Sequence, residues 1–182
     1  MTTYISILRG INVGGKRKIL MADLKVIYQK LGFTKATTYI QSGNVIFQAK
    51  KNLSIQEIEE AIKRAIQKEY NYDVPVLVRT TESIKNTMKI NPFLKDENIA
   101  IERLYLTFLA KNTSVENLEN IKNIDTGKDR YLIIDKDVFI CCSTKYSDSK
   151  LTNNFFETKL KVRATTRNWK TITKLVEIIS NF

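Results

Sequence analysis

Histidine is missing altogether from this chain of 182 residues. That excludes every His-based triad, His metal site and His general base. Cysteine is scarce: the only two are adjacent, Cys141-Cys142, in a segment that alternates like a strand. Neighbours on a strand point to opposite faces, so a mutual disulfide is not expected. No C-x-x-C or Cys/His framework exists to hold a metal, so neither a metal nor a cofactor is expected, and the compartment that fits is a reducing cytoplasm. No apolar run approaches the roughly 18 residues that span a bilayer, so no membrane partner is expected. The chain opens directly on strand-like residues, without the basic and apolar regions of a signal peptide. Low-complexity tracts and paired-carboxylate signatures are absent, and Glu57, Glu59 and Glu60 read as a solvated helix start. The aromatic motif of RNA-binding ferredoxin-like domains is absent as well.

What remains is an ordinary folded composition, 43% hydrophobic and 27% charged, with a formal net charge of +11. The excess is local. Residues 9–35 hold seven Lys/Arg against one acid, and residues 140–174 hold eight against two. Such stretches suit polyanions, and they are equally the mark of a lysine-rich composition with no such partner.

Element order is legible along the chain. Residues 3–9 form a strand, and Leu20, Leu24, Ile27, Tyr28 and Leu31 line one helical face that Gly32 terminates. Runs at 35–41 and 44–49 make a hairpin around Ser42-Gly43. Ser54 and Glu57 form a capping box ahead of Ile55, Ile58, Ile62, Ala65 and Ile66. A strand at 74–79 and a helix at about 82–90 complete a βαββαβ order plus one helix. The second half repeats it: a strand at 102–110, a helix after Ser114, a hairpin of 130–134 and 137–142 turned at Asp135-Lys136, a helix at about 149–160, an extended segment at 162–165, and a last helix bearing Trp169, Ile172, Leu175, Val176 and Ile179. The expected fold is α+β: two ferredoxin-like subdomains with antiparallel sheets, each followed by an extra helix. Their expected bounds are 1–91 and 102–182, with 92–101 as linker.

Three of the six glycines fall in Leu8-Arg9-Gly10-Ile11-Asn12-Val13-Gly14-Gly15-Lys16, followed by Arg17-Lys18. Gly10 through Lys16 satisfies the first seven positions of a P-loop, but Arg17 stands where a magnesium-binding Ser or Thr is required. The helix pattern also starts late, and antiparallel hairpins conflict with the parallel sheet such proteins use. Two readings stay open: Arg9, Asn12, Gly14 and Gly15 form a looser anion site, or the glycines supply positive φ to a turn. Gln41, Ser42 and Asn44 join the first reading if they face the same pocket, and are otherwise turn residues. In the second half, Ser149 reads as an N-cap with Lys150 and Asn153 following, and Thr166, Arg167 and Asn168 stand where a further helix starts. Two helix N-termini so equipped would suit an anion, and capping around a buried Trp169 explains them equally. A Ser149–Lys150 nucleophile pair is excluded, because adjacent helical residues do not face each other.

The segments at 8–16, Met21-Ala22-Asp23-Leu24 and Tyr39-Ile40-Gln41-Ser42-Gly43-Asn44-Val45 resemble a bacterial domain-of-unknown-function family, number 1697. Ser149-Lys150-Leu151-Thr152-Asn153 and Ala164-Thr165-Thr166-Arg167-Asn168-Trp169, with Lys174-Leu175, look like its second signature. The resemblance implies an α+β fold with ferredoxin-like subdomains and brings no activity or catalytic residues. Three functional classes follow for comparison. The first is a binding module for a phosphate-bearing or nucleic-acid ligand, held by Arg9, Asn12, Gln41 and Asn44 with Lys150, Asn153, Arg167 and Asn168. The second is an enzyme for a small phosphorylated substrate, working through Arg/Lys and backbone electrostatics. The third is a structural or protein-interaction module.

Overall fold

Every element above has a counterpart in the computed structural model, which describes residues 1–182. The first half runs β1 (Thr2–Leu8), α1 (Met21–Lys30), β2 (Thr34–Tyr39), β3 (Asn44–Ala49), α2 (Ile55–Tyr70), β4 (Val76–Thr80) and α3 (Thr81–Ile90). The second runs β5 (Leu104–Leu109), α4 (Val115–Lys122), β6 (Arg130–Ile134), β7 (Asp137–Cys141), α5 (Asn153–Leu160), β8 (Ala164–Asn168) and α6 (Trp169–Ser180). The strands make two separate four-stranded antiparallel sheets, ordered β2-β3-β1-β4 and β6-β7-β5-β8. In each, the first strand is central, with the hairpin on one side of it and the last strand on the other, as a ferredoxin-like βαββαβ unit requires. The chain divides into two compact units, Met1–Lys85 with Ile178–Phe182, and Asn86–Glu177.

In the first unit α1 and α2 lie on one face of the sheet. Tyr4, Leu8, Val45, Phe47, Val76 and Val78 meet Leu24, Ile27 and Tyr28 of α1 and Ile58, Ile62 and Ile66 of α2. The isoleucines of α2 recur every four residues, and each burial is worth about 1.5–3 kcal/mol. The capping box is formed: Ser54 Oγ accepts from the Glu57 N–H, and the Ser54 N–H donates to Glu57 Oε2 at 2.7 Å. Phe47 stacks on Phe33 and meets Tyr28 edge-on, and Tyr28 shares a 2.5 Å hydrogen bond with Ser6 inside this core. The alternate residues Ile5, Ile7, Ile46 and Leu77 are buried too. Both faces of the sheet are therefore covered, which is why β1 and β3 read as nearly continuous apolar runs.

The second unit is built alike, with Leu109, Val138 and Ile140 packed under Ile121 of α4 and Phe156 and Leu160 of α5. The other residues of β5, Leu104, Leu106 and Phe108, are also buried, and Phe139 packs near Trp169 at 6.4 Å between ring centres. Cys141 and Cys142 are buried free thiols. Burial pushes the Cys142 thiol up to about 11. The short 162–165 segment proves to be a full strand, Ala164–Asn168, paired along β5. No helix is long and apolar enough to cross a membrane.

Candidate functional site

The glycine-rich bend is a miniature hairpin standing on the end of β1. Val13 and Lys16 form an antiparallel bridge, with the Lys16 N–H donating to Val13 O at 3.0 Å and the Asn12 N–H to Arg17 O at 3.2 Å. Gly14 and Gly15 hold φ of +58° and +73°, the positive pair that a two-residue type I′ turn demands. The doublet is thus required by turn geometry, which disposes of the P-loop arrangement. Asn12, itself at φ +55°, clamps the base of the hairpin. Its Nδ2 donates to Ile19 O and Gln41 O, each at 2.9 Å, while Oδ1 accepts the Ile19 N–H at 2.9 Å. Asn12 and Gln41 are therefore brought together, through the backbone of the latter.

Beside this clamp lies a cavity of about 340 Å3, lined by Asn12, Gly15, Lys18, Ile19, Leu20, Met21 and Gln41. Leu20 is not on the buried face of α1; it is the N-cap, 70% exposed, and offers no side-chain acceptor. The first amide groups of α1 consequently stand uncapped at the cavity, carrying the positive end of the helix dipole. The one acid of that turn, Asp23, accepts a 2.9 Å hydrogen bond from Tyr70 on α2. Burial and this carboxylate together push the Tyr70 phenol up to about 12. Lys16, Arg17 and Lys18 are exposed around the hairpin. Three ion pairs of the unit, Lys30–Glu69, Lys63–Asp73 and Arg64–Glu60, belong to the helical face and its neighbourhood. Nothing in the sequence marked Ile19, Leu20 and Met21 as a cavity wall, because a wall needs only shape.

Arg9 is half-buried directly after β1, its N–H bonded to Pro75 O. Asn44 is fully buried: its Nδ2 donates to Tyr39 O at 3.2 Å and to Ser42 Oγ at 2.9 Å, which fixes the hairpin turn. Gly43 is the least replaceable residue there. At φ +80°, an added Cβ would lie 2.7 Å from Leu8 Cβ and 2.8 Å from Ile11 Cδ1.

In the second unit two local expectations are corrected. Ser149 is not the N-cap of α5: it closes a 3-10 turn, Tyr146–Asp148, and its Oγ accepts the Leu151 N–H. Thr152 caps the helix instead, because Leu151 is drawn into the core and the helix cannot begin before it. Thr166 and Arg167 do not stand in a helix start; with Asn168 they end β8, held there by pairing with β5. Only Asn168 serves the next helix, its Oδ1 accepting the Thr171 N–H at 2.8 Å. Thr166 and Asn153 do come together, at 2.7 Å, within a hydroxyl chain that includes Thr107 and Tyr146. Arg167 donates to Thr166 O, and burial pushes its guanidinium down to about 10. Lys150 is exposed and lies 3.8 Å from Asp125. No group of three or more His, Cys, Asp or Glu side chains stands together anywhere in the chain.

Comparison with known proteins adds the following. The family model DUF1697, described as a protein of unknown function, matches residues 1–139. No curated protein matches. Among solved structures, the conserved bacterial protein SP0830 from Streptococcus pneumoniae is similar to this chain, with 23% identity, 97% of each chain covered and a TM-score of 0.72. At that identity the likeness bears on the fold alone.

Proposed function

The chain belongs to DUF1697, a family of proteins of unknown function, and from that premise we propose that it is a binding module for a small phosphate-bearing ligand, taken at the hairpin of residues 9–20. One observation carries this reading: an uncapped helix N-terminus opens on a cavity beside the exposed cations of Lys16-Arg17-Lys18. Backbone N–H groups at a helix start, with cations around them, are the ordinary means of holding a phosphate. Lys18 and Gly15 line the cavity itself; Asn12 sets its shape rather than meeting the ligand, its amide being committed to Ile19 and Gln41. Gln41 meets the same loop through its backbone oxygen, and Ser42 and Asn44 fix the β2–β3 turn to which Gln41 belongs.

A small ligand is favoured over nucleic acid. Ferredoxin-like domains that read RNA stack bases on aromatic side chains of an open sheet face. Here Tyr4 and Phe47 lie in the core under the helices, and Ile5, Ile7 and Ile46 on the other face are buried. Calorimetric titration with inorganic pyrophosphate and with a single-stranded oligonucleotide tests the reading. The triple variant Lys16→Ala/Arg17→Ala/Lys18→Ala is expected to weaken pyrophosphate binding at least tenfold and to flatten its salt dependence by about one for each lost contact. Unchanged binding by the triple variant, or binding of the oligonucleotide alone, overturns it.

A further inference from the structure

We propose that the second unit carries an anion site of its own, distinct in sequence and residues from the hairpin of the first. It is a cavity of about 450 Å3 that Arg103, Lys128 and Arg130 line together with Asn98, Cys141 and Ser143, and the ligand it fits is a small anion bearing phosphate. The sheet register builds it. Where β7 ends, Cys141 faces Arg130 on β6 and Leu104 on β5, and the Cys142 N–H donates to Arg103 O at 2.9 Å. Arg103 and Arg130 therefore flank the end of β7 from its two neighbours. Lys128 comes from the turn just before β6, closed by the Asp129 N–H on Thr126 O.

Both guanidinium groups are positioned by partners that do not neutralise them. Arg103 Nη1 donates to Ser143 O. Arg130 lies over the Phe93 ring at 5.4 Å, with Nη2 3.7 Å from Cys141 Sγ. An arginine has five N–H donors in a planar fork, so each keeps donors for a ligand while its own orientation is fixed. Of the nearby acids, Asp96 lines the cavity but accepts the N–H and Nδ2 of Asn98, at 3.0 and 3.1 Å. Asp129 accepts the Ser143 N–H at 2.7 Å and Oγ at 2.8 Å. Three cations thus line the cavity against one carboxylate on the wall. Cations approaching from three directions suit the tetrahedral, multiply charged phosphate better than a planar monocarboxylate. A merely solvated face would leave its arginines without fixed partners, and these two have them.

Amide-resolved NMR titration of the whole chain with inorganic pyrophosphate, at low salt, tests this. Shifts are expected at Asn98–Arg103, Lys128–Arg130 and Cys141–Ser143, following their own saturation curve. Arg103→Ala/Arg130→Ala is expected to weaken that curve at least tenfold, about the loss of one charge-assisted hydrogen bond or more. Lys128→Glu, on an exposed turn, keeps the test decisive if the double variant fails to fold: it is expected to abolish the same shifts with the remaining spectrum intact. The triple variant at Lys16, Arg17 and Lys18 is expected to leave this curve unchanged, so the two sites stand or fall separately. Absence of shifts at these amides, wild-type binding by folded Lys128→Glu, or tighter binding of citrate than of pyrophosphate overturns the proposal.

Discussion

The two units share one plan and differ most at their first connection. Residues 110–114 suffice to join β5 to α4, whereas residues 9–20 join β1 to α1. The helix starts differ in step: Ser114 caps α4, its Oγ accepting the Asn117 N–H, while Leu20 leaves α1 uncapped. The fold closes through the short capped route, so the longer uncapped one is no demand of topology. Its five positive-φ residues, Gly10, Asn12, Gly14, Gly15 and Arg17, hold a defined hairpin next to a cavity. Segments that a scaffold does not need are where binding residues concentrate.

The largest effect expected from breaking this contrast is at Gly43, against which Leu8 and Ile11 pack. Gly43→Ala combines a positive φ with overpacking and is expected to cost about 2–4 kcal/mol, read as a fall in the denaturation midpoint. Asn12→Ala comes next. It removes three hydrogen bonds from the base of the hairpin and is expected to cost about 1–3 kcal/mol, with faster amide exchange confined to residues 12–19 and no change in the second unit.

The capping contrast can be reversed by two substitutions of opposite sign. Ser114→Ala is expected to destabilise by about 1 kcal/mol, and Leu20→Ser, at an exposed residue already in extended backbone, to stabilise by up to about 1 kcal/mol. If the open helix start of α1 serves a phosphate, Leu20→Ser also weakens pyrophosphate binding while raising stability; a stabilised variant with undiminished affinity would remove the helix terminus from the site.

The smallest expected effect is on acid stability. Burial opposes ionisation of Asp129, but hydrogen bonds from Ser143 and Ser149 outweigh it and hold the carboxyl below its ordinary value. A depressed acid stabilises the fold above its unfolded pKa, about 3.9, and that stabilisation is lost as pH falls through the folded value. Asp129→Asn is therefore expected to be the less stable protein at neutral pH and to show a shallower loss below about pH 4 in acid titrations followed by circular dichroism.

Much of this was legible in the chain. The capping box at Ser54 and Glu57, the stop at Gly32 and the turn at Asp135-Lys136 are local devices, satisfied by residues a few positions apart, and the structure places each as read. Ser149 misled because a serine preceding a polar stretch resembles an N-cap wherever it stands; burial of Leu151 moved the helix start to Thr152. Thr166 and Arg167 misled because pairing with β5, remote in sequence, overrode local pattern. Arg103, Lys128 and Arg130 gave no signal, since three separate segments meet only once the register of β5, β6 and β7 is formed.

The sequence by itself determined the element order, the split antiparallel plan of each unit and the exclusion of histidine chemistry, because periodicity, caps and residue absence are properties of neighbours along the chain. Tertiary structure alone decided that Gly14-Gly15 is a hairpin turn, that Asn12 is a clamp and that uncapped amides meet a cationic cavity. Those facts depend on φ values, on hydrogen bonds reaching across to Gln41 and on empty space, none of which a residue type specifies.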